Sequence, residues 1–215
     1  MTPDSFGENG VPVGWAIQKV GDLYEVTGGN TPSTERDEFW GGTHLWASPK
    51  DLSSLDAPVL VRTGRQLTDA GLAQTSSGLL PAGSLLLSSR APIGYMAFTT
   101  LPTAINQGFA GIVRKKVSTS YAWAWCHSHM NMIKGNAGGS TFPEISKSVF
   151  RQLPMLAPSP PVLDAFSHIA DRLIDRIVAA VQQQGVLADL RDTLLPKLIS
   201  GELQVLAAEH SVAAA

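Results

Sequence analysis

The chain has 215 residues, of which 44% are hydrophobic and 16% are charged. The charged fraction lies below the roughly 25% of an average globular protein, so the composition excludes a disordered chain and predicts one large domain or a domain with an appendage. No apolar run reaches the roughly 18 residues of a membrane span, the first thirty residues are acidic where a signal peptide is basic, and the single cysteine, Cys126, excludes a disulfide framework. We therefore expect a soluble, unsecreted protein in a reducing cytoplasm, without a membrane partner.

The formal net charge is -2, but the charges are unevenly distributed along the chain. Residues 1–61 hold three basic and nine acidic side chains, residues 62–151 hold nine basic and two acidic ones, and residues 152–215 hold four basic and seven acidic ones. The strongly basic middle region is typical of a surface that binds a polyanion. Ordinary solvated lysines and arginines would produce the same count and remain the alternative.

Turn residues dominate the first three quarters of the chain, where short apolar runs at 85–87 and 112–113 are bounded by Gly, Pro, Ser and Asn. This pattern predicts short strands joined by loops. Helical spacing interrupts it at 68–73, as one or two turns, and at 121–133, where apolar residues share one stripe. We therefore predict a mixed α and β domain dominated by a curved or barrel-like sheet.

A cluster of metal-ligand residue types lies in the second of these helical segments. On a helix, Cys126 and His129 share a face, whereas His127 points about 100° away from Cys126. Three ligands therefore cannot converge from this turn alone. We expect Cys126 and His129 to pack in the core beside Trp125, and we predict no metal site.

Catalytic motifs are missing from the sequence, which has no phosphate-binding loop and no nucleophile elbow. Glu144 with Lys147 resembles half of a metal-dependent nuclease pair, but the upstream aspartates are missing, so we expect a loop contact. Asn106 is predicted to cap backbone groups of its own turn. We predict no catalytic residue; the alternative within the enzyme class is a small hydrolase or nuclease that uses His129, Glu144 and Lys147.

A proline cluster from Pro154 to Pro161 forces extended geometry and predicts a stiff domain boundary. The segment from Val162 to Leu195 contains no proline, and its apolar residues recur in three- and four-residue steps, which predicts a helix about 50 Å long. We expect this seam to pair with a second copy of the chain, because the sequence contains no other long helix; packing along its own domain is the alternative. The seam residues are Leu163, Phe166, Ala170, Leu173, Ile177, Ala180, Leu187 and Leu194.

Several segments in a fixed order resemble one known family. They are GGNTPS at 28–33, FWGG at 39–42 with LWASPKDL at 45–52, LLLSSRAPIG at 85–94, NQGF at 106–109, GSTFPEIS at 139–146, and the segment from Leu187 to Val205 that contains RDTLLPKLISGELQV. Together they resemble the specificity subunits of type I restriction-modification systems, over nearly the whole chain.

The resemblance implies an α+β fold, with a β-rich target-recognition domain at residues 1–157, a long helix and docking segment at 158–205, and a flexible tail at 206–215. Such subunits usually contain two recognition domains and two long helices that pair antiparallel, whereas this chain has one of each. It is similar to half a subunit. The resemblance therefore implies a homodimer joined by an antiparallel coiled coil, which would read a bipartite inverted repeat.

Family resemblance also implies that the chain itself is not an enzyme and has no cofactor. The implied partners are double-stranded DNA, a modification subunit that methylates adenine, and a translocating endonuclease subunit, and S-adenosylmethionine, ATP and magnesium are expected only on those subunits. A coiled-coil adaptor or a carbohydrate-binding module is the non-enzymatic alternative. On the implied function, the predicted DNA-binding residues are Lys50, Arg62, Arg65, Gln66, Arg90, Lys115, Lys116, Lys134 and Asn136.

Overall fold

A computed structural model describes residues 5–7, 10–139 and 141–203. Its strands are β1 (Ala16–Lys19), β2 (Tyr24–Gly28), β3 (Trp40–Ala47), β4 (Val59–Leu60), β5 (Arg65–Leu67), β6 (Leu85–Ser88), β7 (Met96–Thr99), β8 (Thr103–Ile105), β9 (Phe109–Arg114) and β10 (Pro154–Ala157). Its α-helices are α1 (Val20–Leu23), α2 (Pro49–Ser53), α3 (Asp69–Leu72), α4 (Thr119–Ser128), α5 (Met130–Gly135), α6 (Lys147–Gln152) and α7 (Pro160–Ile199). The segment predicted to be a flexible tail lies outside the described residues.

The strands form three sheets where the sequence suggested one dominant curved sheet. The largest has five strands in the order β2-β9-β6-β7-β4, a second has the order β5-β3-β8, and β1 pairs with β10. Two pairs are parallel, β3 with β8 and β4 with β7. These pairs join strands that are far apart in the sequence, so the local alternation of apolar and polar residues does not reveal them.

The predicted strands at 85–87 and 112–113 are confirmed as parts of β6 and β9. All four residues of β6 are buried, because this strand lies in the interior of the five-stranded sheet. The main core packs this sheet against α4 and α6, with Trp125, Cys126 and Phe150 among its buried side chains. The predicted turn at 68–73 is confirmed as α3, whose first turn is capped by the Thr68 hydroxyl accepting from the Gly71 amide.

The predicted helix at 121–133 is divided into α4 and α5 at His129. The backbone of His129 lies outside the helical region, with φ -111° and ψ 21°. The His129 ring stacks on Trp125 at a centroid distance of 5.1 Å, and its Nδ1 lies 3.0 Å from the Trp125 carbonyl oxygen. Cys126 is buried as expected, but His129 is exposed, so its expected place in the core was wrong. A ring that engages the preceding turn cannot also point into the core.

The long helix α7 extends beyond both predicted ends. It begins at Pro160, because prolines fit the first helical positions, where amide hydrogens have no helical partner. It continues through Pro196 to Ile199, so its 40 residues span about 60 Å at about 1.5 Å per residue. No helix among the described residues is long and apolar enough to cross a membrane.

Candidate nucleic-acid interface

Loop segments from four of the sequence motifs meet beside the start of β9. The Asn106 amide donates to the Thr31 hydroxyl at 2.8 Å, and that hydroxyl donates to the side chain of Gln107 at 2.6 Å. The ammonium group of Lys147 donates to the Gln107 carbonyl oxygen at 2.8 Å. The Asn106 side chain also accepts from the Gly108 amide at 2.7 Å, as expected for a capping residue. These motif residues therefore hold loops together.

Charged contacts complete this cluster of Thr31, Asn106, Gln107 and Lys147, which we call the motif junction. Glu144 lies 3.6 Å from Arg90 and 3.5 Å from Lys147, which confirms the loop contact expected for Glu144 and Lys147. The predicted DNA-binding residue Arg90 is therefore partly neutralised by the Glu144 carboxylate. In the same region, Gly29 packs so closely on β8 that a Cβ atom there would lie 1.7 Å from the Ile105 carbonyl oxygen.

Lys50, Arg65 and Gln66 belong to neighbouring exposed elements. Lys50 lies in α2, whose first turn is held by a capping box between Ser48 and Asp51. The second Asp51 oxygen accepts from the Gly64 amide at 2.7 Å, which ties the segment before β5 to α2. Pro49, next to Lys50, also packs near Gly108, beside the motif junction. These contacts place Lys50, Arg65, Gln66 and Arg90 on one side of the domain.

Arg65 has a defined orientation although it is exposed. Its guanidinium carbon lies 3.4 Å from the centre of the Trp40 ring, a cation–π contact. Trp40 is in turn edge-on to Trp46, with ring centroids 5.1 Å apart. No sequence motif links Trp40 to Arg65, because the two residues are far apart in the chain. The order of the sheet, β5 beside β3, brings the two residues together.

Lys134 and Asn136 lie at the end of α5, and Lys134 lines a cavity of about 340 Å³. The wall of this cavity includes the loop that follows Arg90 and the Phe142 side chain, which is 81% exposed. Asn136 donates to the Met132 carbonyl oxygen at 2.8 Å. Its amide is therefore partly used in ending the helix.

The remaining predicted residues are Arg62, Lys115 and Lys116. They are exposed and follow the ends of β4 and β9, so they lie at the end of the five-stranded sheet opposite the start of β9. Arg62 follows β4 and faces α7 near Gly185. Lys115 and Lys116 directly follow β9, whose last residue, Arg114, lines a cavity of about 450 Å³ with Asp171. The basic region is thus divided into a loop-side group (Lys50, Arg65, Gln66, Arg90, Lys134 and Asn136) and a helix-side group (Arg62, Lys115 and Lys116).

Two charges of the basic region are used inside the domain. Arg151 donates through Nε and Nη2 to the carbonyl oxygen of Val26, and Lys147 is bound at the motif junction. A count of basic residues cannot separate these structural roles from free surface charges.

Asn30, from the first motif, orders an exposed loop, since its side chain donates to the Gln74 carbonyl oxygen and accepts from the Ser76 amide.

Metal chemistry and acid–base chemistry find little support in the part of the chain that the structure describes. No group of three His, Cys, Asp or Glu side chains there could hold a metal ion. Burial raises the pKa of the Cys126 thiol to about 12, so the thiol is protonated at neutral pH. Burial also raises the pKa of Tyr24, with smaller contributions from Tyr121 and Cys126. Both groups are neutral core residues.

The structure places the predicted helix seam on two faces of α7. Leu163, Phe166, Ala170 and Ile177 are partly buried; Leu163 and Ile177 pack on the main core, and Phe166 is edge-on to Tyr121 at 5.6 Å. These contacts correspond to the alternative of packing along the helix's own domain. The exposed members are Leu173, Ala180, Leu187 and Leu194, and exposed Ile169 and Leu190 lie beside them. We call these six residues the outer stripe.

Comparison with known proteins gives consistent matches. The family model for the type I restriction modification DNA specificity domain matches residues 12–179. The MjaIX specificity subunit of Methanocaldococcus jannaschii is 34% identical over 180 residues, which cover 82% of this chain and 42% of that protein. The HindI specificity subunit of Haemophilus influenzae is 25% identical over 197 residues, covering 90% and 42% respectively. The chain thus spans less than half the length of these relatives.

Solved structures share the fold. The crystal structure of the type I restriction-modification S subunit from M. genitalium superposes with a TM-score of 0.62 at 14% identity, covering 93% of this chain and 49% of that one. The HsdS subunit from Thermoanaerobacter tengcongensis gives a TM-score of 0.53 at 18% identity, covering 92% and 48%. These likenesses confirm the predicted α+β fold, a mixed domain followed by a long helix.

Proposed function

The chain belongs to the family of type I restriction-modification DNA specificity domains, and from that premise we propose that it recognises a specific sequence in double-stranded DNA. The observation that carries the proposal is the family match over residues 12–179, which includes the proposed recognition domain except for its first eleven residues. The chain would perform no catalysis and bind no cofactor of its own. It would direct a modification subunit, which methylates adenine, and a restriction subunit to the site in the cytoplasm, and S-adenosylmethionine, ATP and magnesium would act on those subunits.

The two groups of basic residues suit different parts of a DNA contact. Lys115 and Lys116 are flexible ammonium groups at a turn, which suit phosphates and carry no sequence information. Arg65 is held over the Trp40 ring and lies next to Gln66, and a guanidinium held in one position suits the paired acceptors of guanine. We therefore assign phosphate binding to the helix-side group and base reading to the loop-side group.

Binding to short fluorescent duplexes tests this assignment. Reversing both charges, Lys115→Glu with Lys116→Glu, should weaken binding to every duplex by about tenfold or more and lower the salt dependence. The matched control reverses two exposed lysines outside the basic region, Lys19→Glu with Lys197→Glu, and should bind like the unmodified chain. Equal loss in both variants would show that net charge alone is responsible and would contradict the helix-side group.

A change of preferred sequence tests the base-reading group. Variants Arg65→Ala and Gln66→Ala should alter the sequences recovered from a randomised duplex pool, whereas the lysine variants should not. If all four positions can be changed together without affecting binding, the assignment is wrong. Binding by the isolated chain should also be weak and salt-sensitive, because a dimer carries about -4 overall, twice the -2 of one chain.

We also propose that two copies pair antiparallel through the outer stripe. The exposed side chains of Leu187, Leu190 and Leu194 support this, because a helix in water rarely exposes a continuous row of leucines to solvent. A two-fold axis across antiparallel helices places the recognition domains at opposite ends. The two half-sites would then be the same sequence inverted, separated by a gap whose length the helix pair sets. Recovery of an asymmetric target from intact homodimers would contradict this arrangement.

The proposed division of labour follows the element boundaries. We propose a recognition domain at residues 1–157 and a helix with its docking segment at 158–205, and the end of β10 at Ala157 supports this boundary. Leu198, Ile199 and Leu203, near the end of the helix, are exposed and would contact the partner's recognition domain. Deleting residues 198–205 should then weaken the dimer without changing the sequence read.

A further inference from the structure

A chain of hydroxyl groups joins the recognition domain to α7. Ser167 of α7 donates to the Ser118 hydroxyl at 2.8 Å, and Ser118 lies 2.8 Å from the Ser120 hydroxyl. Ser120 in turn donates to the Asp171 carboxylate at 2.5 Å. Ser167 and Asp171 are four residues apart, so they lie on the same face of α7. The network therefore begins and ends on the long helix and passes through the start of α4.

The direction of these hydrogen bonds is fixed by the number of donors. Each hydroxyl has one hydrogen, and Ser120 uses its own on Asp171, so Ser118 must donate to Ser120 and accept from Ser167. Ser118 and Ser120 are 4% and 3% exposed, so water competes little with these bonds. The Tyr24 hydroxyl donates to the Ser118 carbonyl oxygen at 3.1 Å and anchors this corner to β2. The carboxylate at the end polarises the whole chain.

The other contacts of α7 with the domain are mostly apolar. Ile174, Ile177, Val178 and Val181 pack against the main core, and Phe166 packs on Tyr121. Apolar burial holds the helix to the domain but is non-directional, so it resists rolling and sliding weakly. Hydrogen bonds weaken steeply when their angles change. The network that ends at Asp171 is therefore the contact that defines the angle of the helix.

This angle has a large effect at the far end of α7. Contacts with the main core end at Val181, Arg62 of the domain lies beside Gly185, and the helix continues to Ile199. The 14 residues from 186 to 199 reach about 21 Å further at about 1.5 Å per residue. A tilt of about 10° at the domain would move the end by about 4 Å, which is slightly more than the rise of about 3.4 Å per base pair.

We propose that Asp171 is a positioning residue that fixes the direction of α7 relative to the recognition domain, and through it the length of the unread gap between two half-sites. The part of this inference that concerns the gap rests on the proposed function. The part that concerns the helix direction does not. The two parts are therefore tested by separate measurements.

Helix direction is measured by the distance between two spin labels, one at Thr34→Cys in the domain and one at Thr193→Cys on the distal helix. Both positions are exposed, and the native Cys126 does not react because it is buried and its pKa is raised to about 12. Labelled chain is diluted with excess unlabelled chain, so that only distances within one chain are observed. The full chain and Asp171→Asn, which can still accept from Ser120, should give one narrow distribution. Asp171→Ala should broaden it.

The matched control is Asp175→Ala, one turn further along the same helix. Among the described residues, the Asp175 side chain makes no hydrogen bond or ion pair, so this variant should keep the narrow distribution. If Asp171→Ala does not fold, Ser120→Ala removes the same bond from the other side and should broaden the distribution alike. An unchanged distribution in a folded Asp171→Ala or Ser120→Ala chain would overturn the positioning role.

Gap length is measured on the target sequence recovered with the unmodified chain, in a series of duplexes whose gap is shortened or lengthened by one or two base pairs. The unmodified chain and Asp171→Asn should prefer one gap by about tenfold or more, and Asp171→Ala should lose about tenfold of that preference while reading the same half-site bases. An unchanged gap preference in Asp171→Ala would overturn the role in spacing. Failure to recover any bipartite target would refute the proposed dimeric reading, and with it the role in spacing, but would leave the spin-label result standing.

Discussion

Charged substitutions in the outer stripe should separate the proposed dimer into single chains. The side chains of Leu187 and Leu194 are 57% and 40% exposed in one chain. Fully burying a leucine contributes about 1.5–3 kcal/mol, so covering the exposed half contributes about 1 kcal/mol for each. Two such leucines in each of two copies give about 4 kcal/mol, which corresponds to about a 1,000-fold change in the dissociation constant. The double variant Leu187→Glu with Leu194→Glu should lose at least that much.

Sedimentation equilibrium over a range of protein concentrations measures this change directly. The matched control is Leu101→Glu, since Leu101 is a leucine of similar exposure, 53%, on a loop of the recognition domain. This control should associate like the unmodified chain. Equal dissociation constants for the double variant and the unmodified chain would refute the argument that the outer stripe pairs two copies.

The two faces of α7 can be distinguished by neighbouring substitutions. Leu173 is 53% exposed, so Leu173→Glu should weaken the dimer and leave the thermal stability of the chain nearly unchanged. Ile177 packs on the main core, so Ile177→Glu should instead lower the midpoint of thermal unfolding. The opposite pattern would show that the helix is turned the other way in solution.

Three further predictions concern the recognition domain. Gly29→Ala should destabilise it by about 3 kcal/mol, or about 6–12 °C by calorimetry, because the added methyl group would overlap a backbone oxygen of β8. Trp40→Ala should free the Arg65 guanidinium and widen the set of sequences recovered from a randomised pool, without reducing binding to random duplexes. Because burial raises the pKa of Cys126, its thiol ionises at a lower pH in the unfolded chain than in the folded chain. The free energy of unfolding should therefore be highest below about pH 9 and fall as the pH rises toward about 12, by at most about 4 kcal/mol.

Each of these predictions has a control. Gly135→Ala adds a methyl group where no atom lies within 4 Å and should not destabilise the chain; an equal effect at both glycines would argue against the overlap. For Trp40, a set of recovered sequences that stays unchanged would contradict the positioning of Arg65. For Cys126, the variant Cys126→Ala should reduce the alkaline loss, while Tyr24, whose pKa is also raised by burial, contributes to what remains. Identical alkaline profiles would assign that loss to other groups.

The sequence by itself determined the elements that depend on near neighbours. The apolar run at 85–87 became a buried strand, and the three- and four-residue steps after Pro161 became a long helix, because both patterns record the local period of the backbone. The order of the motifs identified the family, because it is a property of the chain and not of its packing. Local caps, such as Asn106 in its own turn, were predictable for the same reason.

Only the tertiary structure decided which of these residues are free to act. A basic residue reads the same in the sequence whether it binds a carbonyl oxygen, as Arg151 does, or faces solvent, as Lys115 does. The sequence of the helix seam does not show which face of α7 is covered by its own domain. That face is decided by where α4 packs against α7, as in the contact between Tyr121 and Phe166, which are far apart in the sequence. The same holds for Asp171, whose partner Ser120 lies 51 residues earlier. Contacts between distant parts of a chain depend on how the layers pack, which no local pattern encodes.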